Sequence, residues 1–522
     1  MAWRKTIVSV CLAVLFITAD AQTFIKPFVE DSSPTLAYSL CIKDSFFFVA
    51  GGIIDTVIAG RAASYLAKFD YSGNQISNIT LRNDQYIYFD LVSNQNALKP
   101  TADGGMAAVG RVQDTTLKYF VLFSKFDSAG NLQFYKTFDF GLSGYRHLNA
   151  FGLIQYGSAY FIIGDIQLAN YYAEPILIKL DLAGNLIFAK TYNNLPETYA
   201  MRESICSLPD SNLLLCIGRS DANINYWQEI DKTCFLEVDT GGNLIHQYCT
   251  GDTNTLAYSN VAPTYDGKYL SCGQYYFDRL QGDGQFYKEY LAKWDTSFNR
   301  IWELNEGDLS SVNGFSDFEQ NGQSDILLCG QNLNDSDEAA GYNGVLAKVS
   351  KDGVPVWYHK YKVPTNLNPD YSWNYLNDIA LLPNGDILAV GSWESAFSTS
   401  PLYFQQVGWI IRVHSDGCMD DGTCGITGID EAPAKTESMN MQKPVQVFPN
   451  PSNGIFTVNA MMDLPYASTL KVFDELGRQL LTQPLLHRVN LVNLYYLPNG
   501  IYFYKIGNDF VNVDEGKMVI QK

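Results

Sequence analysis

Histidine is scarce in this chain: five residues in 522, His147, His246, His359, His414 and His487. They are scattered, and no two stand at a spacing suited to sharing a metal ion. A phosphate-cradling glycine loop is missing, and so is the strand–turn–helix signature of an exposed nucleophile. Positive charge is also short. The 36 Lys and Arg against 55 Asp and Glu give a formal charge of −19, which leaves no basic footprint for nucleic acid. Beyond the first two dozen residues no apolar run reaches membrane-spanning length, so no transmembrane segment is expected in the mature protein. No cofactor is expected. The stretch "NLNDSDEAAGYNG" (332–344) offers oxygen atoms that suit calcium but lacks the full loop pattern, and a solvated acidic loop is the plainer reading.

The one long apolar run, "TIVSVCLAVLFI", lies at the start. Arg4 and Lys5 precede it and Ala19-Asp20-Ala21 follows it, so residues 1–21 read as a secretory signal peptide. The remainder is rich in what β-structure uses, with 34 Tyr and 30 Phe, and exceeds the length one core usually serves. An all-β chain of more than one compact part is expected.

Self-similarity gives the architecture. "YLAKFDYSGNQISNITL" (65–81) returns as "VLFSKFDSAGNLQFYKTF" (121–138), "ILIKLDLAGNLIFAKTY" (176–192) and "CFLEVDTGGNLIHQYCT" (234–250), with three weaker copies beyond. Each copy is two alternating apolar runs around an Asp-x-x-Gly-Asn type turn, in which Asp binds backbone amides and Gly takes a positive φ. A second hairpin, whose inner run ends in Gly, precedes each copy. Four strands recurring seven times at about 57 residues predict a seven-bladed β-propeller over 22–424. The seventh unit lacks a fourth strand, whereas "TFIKPF" near the start matches one. The ring is therefore expected to close through this N-terminal strand, which leaves no open edge.

Removal of Cys11 with the signal leaves nine cysteines in an oxidising exterior. Cys234 and Cys249 flank a tight turn symmetrically and suit a disulfide. Cys206 with Cys216 and Cys418 with Cys424 are further candidates. Cys272 and Cys329 occupy equivalent positions before the strand-two glycine and read as small buried residues.

Alternating strand direction puts the short stereotyped turns on one face and the long, irregular, aromatic loops on the other. Binding is expected on the variable face. Candidate ligand contacts there are Tyr226, Trp227, Tyr275, Trp373 and Trp393. The residues just after the strand-two glycines, among them Arg111, Asp165, Arg219 and Gln274, are expected to ring the channel mouth, where they either hold a ligand or satisfy backbone groups between blades.

The stretch 425–442 reads as a linker. Residues 443–522 read as a small immunoglobulin-like β-sandwich of short strands. They carry Pro449-Asn450-Pro451, Gly454, a hairpin around Asp474 and Gly477, Gly500-Ile501-Tyr502 and a final Lys522. In these motifs and their order the segment resembles the type A C-terminal sorting domain of the type IX secretion system of Bacteroidetes-type bacteria. The resemblance implies recognition by the type IX secretion machinery and passage across the outer membrane, with release or surface anchoring. With no catalytic motif in view, the expectation is a secreted or cell-surface propeller that acts as a binding or adhesion module for glycans or proteins. A secreted carbohydrate-active hydrolase or lyase on the same variable face is the alternative, and two acidic residues converging at the channel mouth would favour it.

Overall fold

The computed structural model describes residues 22–425 and 445–522, apart from 56, 58–60, 93–94, 141–144, 169–172, 193–203, 210, 220–231, 250–254, 277–286, 307–313, 334–340, 364–370, 397–403, 461–467, 475–477, 486–488 and 508–511. The expected signal peptide, nearly all of the expected linker and most of the calcium-type stretch lie outside the described residues. Among those described there is no helix; every regular element is a strand. The chain divides into two compact units, Met1–Asp430 and Glu431–Lys522.

Among the described residues the strands of the larger part pair antiparallel in successive groups, units one to seven in chain order, at 35–81, 86–138, 145–191, 204–249, 255–306, 314–361 and 371–413; single parallel contacts join the first two and the last two into larger sheets. The last of these contributes three strands of its own. Its fourth is Phe24–Phe28, paired antiparallel with Phe404–Val413 so that Phe24 faces Arg412 and Phe28 faces Gly408. In unit two the inner strand is broken into Tyr86–Asp90 and Leu98–Pro100, both on Met106–Asp114. Apolar layers join successive units. The last returns to the first, where Leu388, Val390 and Ile410 of unit seven meet Phe47, Val49 and Ala67 of unit one with Phe24 between them.

Two repeated devices explain the sequence pattern. The first is the glycine of strand two. In units one, three, six and seven the inner strand shifts register beside it. A Cβ at Gly51, Gly164, Gly330 or Gly391 would fall 1.8, 2.0, 2.1 or 1.7 Å from an inner-strand carbonyl oxygen. Only glycine permits that approach.

The second device clasps neighbouring units. The fourth-strand aromatic of one unit lies on the positive-φ glycine of the next unit's turn, as Phe134 does on Gly184 and Phe188 on Gly242. Two residues on, a lysine caps the same turn. Lys136 Nζ donates to Ala183 O (2.8 Å) and Asn185 Oδ1 (2.7 Å), and Lys190 Nζ to Gly241 O (2.6 Å) and Asn243 Oδ1 (3.0 Å). The segment 24–28 reproduces this. Phe24 covers Gly73, and Lys26 Nζ donates to Ser72 O at 2.6 Å and Asn74 Oδ1 at 3.2 Å. The Phe-x-Lys match in the sequence thus encodes a seam contact.

Cys234 and Cys249 are register partners and form a disulfide, as do Cys418 and Cys424. The expected Cys206–Cys216 bridge is absent and both remain thiols. Cys206 pairs with Leu214 and Cys216 with Ser204, so the two sulfurs sit diagonally, not opposite each other. Cys272 and Cys329 are fully buried.

The smaller part has two antiparallel sheets, one of three strands and one of four, around Phe456, Val458, Leu470, Val472, Ile506 and Met518. Asn450 acts as a false strand residue: its Nδ2 donates to Lys517 O at 2.6 Å and its Oδ1 accepts from Val519 N at 2.8 Å. Gly454 has φ 106° and its carbonyl accepts from Leu494 N. Asp474 Oδ1 accepts the Arg478 amide at 2.9 Å. Tyr502 donates to Pro498 O (2.9 Å), and Lys522 Nζ reaches Leu497 O (2.8 Å). Gly477 lies outside the described residues.

Candidate functional site

Of the residues expected after the strand-two glycines, Arg111 and Asp165 come together. Asn149, on the inner strand Tyr145–Tyr156, joins them. It accepts from Arg111 Nη1 through Oδ1 and donates to Asp165 Oδ1 through Nδ2, both at 2.6 Å. The guanidinium lies between two tyrosine rings, 5.3 Å from the centre of Tyr88 and 5.7 Å from that of Tyr119. His147 packs against Tyr119 in a tilted arrangement, with ring centres 4.5 Å apart and 46° between the planes. Arg111 Nε is buried and has no hydrogen-bond partner among the described residues. Tyr88, Arg111, Tyr119, His147 and Asn149 are all half-buried, so the cluster is reached from solvent.

Two carboxyls flank the guanidinium. Burial pushes Asp165 up to about 7, against the opposing pull of the Asn149 hydrogen bond and the Arg111 charge. Asp90 is likewise raised to about 7 by burial, offset by Arg111 and by the Tyr88 hydroxyl, which donates at 3.3 Å. Neither carboxylate oxygen comes within ion-pair distance of Arg111, so the cation keeps donors to spend.

The remaining expected residues divide. Trp373 is half-buried, with its ring 6.4 Å from that of Tyr342. Trp393, expected among exposed loop aromatics, is only 3% exposed and sits in the core with Leu376, Ile379 and Trp409. The strand Ile387–Ala396 runs beyond its glycine far enough to turn this ring inward. Ser392 serves the backbone, since its Oγ accepts the Ala37 amide at 3.1 Å. Tyr226 and Trp227, and the side chains of Arg219, Gln274 and Tyr275, lie outside the described residues.

A second polar cluster on the inner strands went unrecognised in the sequence. Asp317 and Asp378 lie within hydrogen-bonding reach of each other and both are buried. Burial, reinforced by the Asp378 charge, holds the Asp317 carboxyl well above the usual range. Asp317 Oδ1 accepts from the side-chain amides of Asn96 (2.8 Å) and Asn260, and Asp378 Oδ2 from the Ser39 hydroxyl (2.8 Å) and the Leu40 amide (2.9 Å). Ser39, Asn260, Asp317 and Asp378 are all register partners of the residue before a strand-two glycine. That shared position, polar inside an apolar strand, is the signal that could have found them.

Beside this cluster lies a cavity of about 530 Å³, bordered by Lys99, Leu153, Ser204, Asn260, Tyr265 and Glu319 among others. Among the described residues one group of metal-type ligands exists, His359 with Cys418 and Cys424, and the disulfide occupies both of its sulfurs.

Residues 446–521 match the family described as secretion system C-terminal sorting domain. The chain therefore carries a type IX sorting domain and is exported across the outer membrane, to the cell surface or the medium. No curated protein matches the chain. Solved structures similar to it include the polysaccharide lyase Uly1, at 9% identity over 76% of this chain and 100% of that one, TM-score 0.44. An ulvan lyase of polysaccharide lyase family PL25 is 8% identical over 73% and 95%, TM-score 0.47. The β-propeller domain of the Trilobed protease from Pyrococcus furiosus is 8% identical over 72% and 97%, TM-score 0.37. At these scores the likeness says nothing about activity.

Proposed function

We propose that the protein is a secreted or cell-surface seven-bladed β-propeller that binds glycans or proteins on its long-loop face, around Arg111. In this reading residues 1–21 are a signal peptide, 22–424 the propeller, 425–442 a linker and 443–522 an immunoglobulin-like sorting domain. The cyclic order of the apolar layers, with Phe24–Phe28 as the fourth strand of unit seven, supports the propeller. One observation carries the binding reading: a half-buried guanidinium held between two tyrosine faces, with an Nε that has no hydrogen-bond partner among the described residues. Such a group has its orientation fixed in advance and its hydrogen-bonding capacity left for a partner.

A glycan and polysaccharide array on the mature chain tests this, read for retention and for release of cleaved product. Retention that falls about tenfold or more in Arg111→Leu is expected, the loss of roughly one charge-assisted hydrogen bond. Retention unchanged in that variant would remove the site. The alternative, a hydrolase or lyase, is favoured by Asp90 and Asp165, two carboxyls near 7 on either side of one cation. Product release that is abolished by both Asp90→Asn and Asp165→Asn would establish it.

A further inference from the structure

The cavity bordered by Lys99, Ser204 and Glu319 belongs to neither reading above. Asn149 and the cavity-lining Leu153 and Ile154 share one inner strand, but Asn149 stands toward its start and the other two toward the short turn at its end. The rim is made of short-turn residues, Pro263, Thr264 and Tyr265 of unit five and Gln320 of unit six. It therefore opens on the face opposite the long loops. Small residues leave the space: Gly152, Ser204 and Ala262 stand where larger side chains would fill it. Asn96 and Asn260, which also border it, carry the Asp317–Asp378 cluster that closes its inner end.

Its hydrogen-bonding capacity is not spent. The Ser204 hydroxyl has no partner among the described residues, although the residue is only 7% exposed. Lys99 Nζ donates to Asn96 Oδ1, and no ion pair joins Lys99 to Glu319. Glu319 borders the cavity and is open to solvent; the protein packed around it raises its carboxyl, and the Lys99 charge opposes that shift. Apolar wall is supplied by Leu153, Val261 and Phe318, and Tyr265, 70% exposed, stands at the lip.

We infer that this cavity is a second binding site, for an uncharged sugar of one or two rings. The Asp378 and Glu319 carboxyls against one ammonium, Lys99, disfavour an anion, and Asp317, whose carboxyl is held well above the usual range, adds no positive charge. A metal ion is disfavoured by the Lys99 ammonium and because Asp317 already accepts two amides. A wholly apolar ligand would leave Ser204 unpartnered. Sugar hydroxyls both donate and accept, and so can use Ser204, Glu319 and Lys99 together. The C–H face of the ring suits the apolar wall and the tyrosine lip. About 530 Å³ lies within the range of small-molecule pockets.

Isothermal titration of the mature chain with glucose, galactose, mannose, rhamnose, maltose and glucuronate tests the inference. Saturable binding of at least one neutral sugar is expected. Glu319→Ala should weaken it about tenfold and Tyr265→Ala about fivefold. Ser204→Ala, which removes the hydroxyl and leaves the space open, gives an independent reading and should also weaken binding. No binding by any neutral sugar overturns the inference, as does glucuronate binding as tightly as the neutral sugars, or affinity unchanged in all three variants.

Discussion

Aspartate does opposite things in two regions of this molecule. In the repeated turns Asp127, Asp181, Asp239 and Asp295 are held below their usual range, chiefly by the side chain and amide of an asparagine four residues on. Each serves only its own turn, as when Asp127 accepts Asn131 N at 2.8 Å and Asn131 Nδ2 at 2.9 Å. In the interior Asp90, Asp165 and Asp317 are pushed up by burial. Two of the interior carboxyls, Asp317 and Asp378, join different units. Asp378 of unit seven takes Ser39 and Leu40 of unit one, and Asp317 of unit six takes Asn260 of unit five. The contrast teaches that the repeated turn aspartates solve a local problem, whereas the inner cluster solves one that exists only when the units are assembled.

The strongest way to break that contrast is to remove a repeated element whose effect is global. Deletion of Gln22–Glu30 takes away a whole strand, the Phe24 and Lys26 clasp, and the Thr23 amide bond to Asp420 Oδ2 at 2.9 Å. It also exposes the paired edge of Phe404–Val413. The melting temperature should fall further than for any single substitution in the larger part. A melt unchanged by the deletion would mean that closure does not depend on this strand.

Next in size is the inner cluster itself. Asp317→Leu strands the amides of Asn96 and Asn260 and leaves Asp378 without its partner. A loss of about 2–5 kcal/mol is expected in denaturant melts, from two buried donors left unsatisfied. Asp317→Asn keeps an acceptor for one amide and should cost less than half as much. Equal losses for the two would show that charge, and not hydrogen-bond geometry, holds the cluster.

The seams were legible because a seam contact is short-range in the repeat. The same aromatic, lysine and Asp-x-x-Gly-Asn turn recur at fixed offsets, so a displaced copy such as "TFIKPF" stands out against the others. The sorting segment was legible for a similar reason, with Asn450, Gly454 and Lys522 all fixed by backbone contacts at their own positions. The repeat position alone marks Arg111 and Asp165, which the fold brings together, but it does not mark Asn149, which joins them. It belongs to the inner strand, 38 residues from Arg111. Asp317 and Asp378 were missed because each looks like a lone polar residue in an apolar run until strands from five units are brought together. Trp393 and the Cys206–Cys216 pair failed through register: where a side chain ends up depends on strand length and on a two-residue offset, and neither is printed in the local pattern.

The two regions should respond to pH with opposite signs. Asp90, Asp165 and Glu289 are all buried and all raised to about 7 from ordinary values of 3.8 and 4.5. A folded-state pKa above the unfolded one means that the fold holds these protons more tightly. Their contribution is fully present below about 4 and is lost as pH rises through about 7, with about 1.4 kcal/mol for each unit of displacement. The turn aspartates have the opposite sign: theirs is present above the ordinary value and lost as pH falls through their depressed one. Stability of the larger part should therefore peak near pH 4–5, decline toward pH 8 and then level off. Calorimetric melts between pH 3 and 9 read this directly. Replacing Asp90, Asp165 and Glu289 by their amides should flatten the upper decline while leaving the acid side unchanged, because the turns are untouched. A decline equally steep in that triple variant would assign the pH dependence elsewhere, and an acid side that moves with it would show that turns and interior do not act independently.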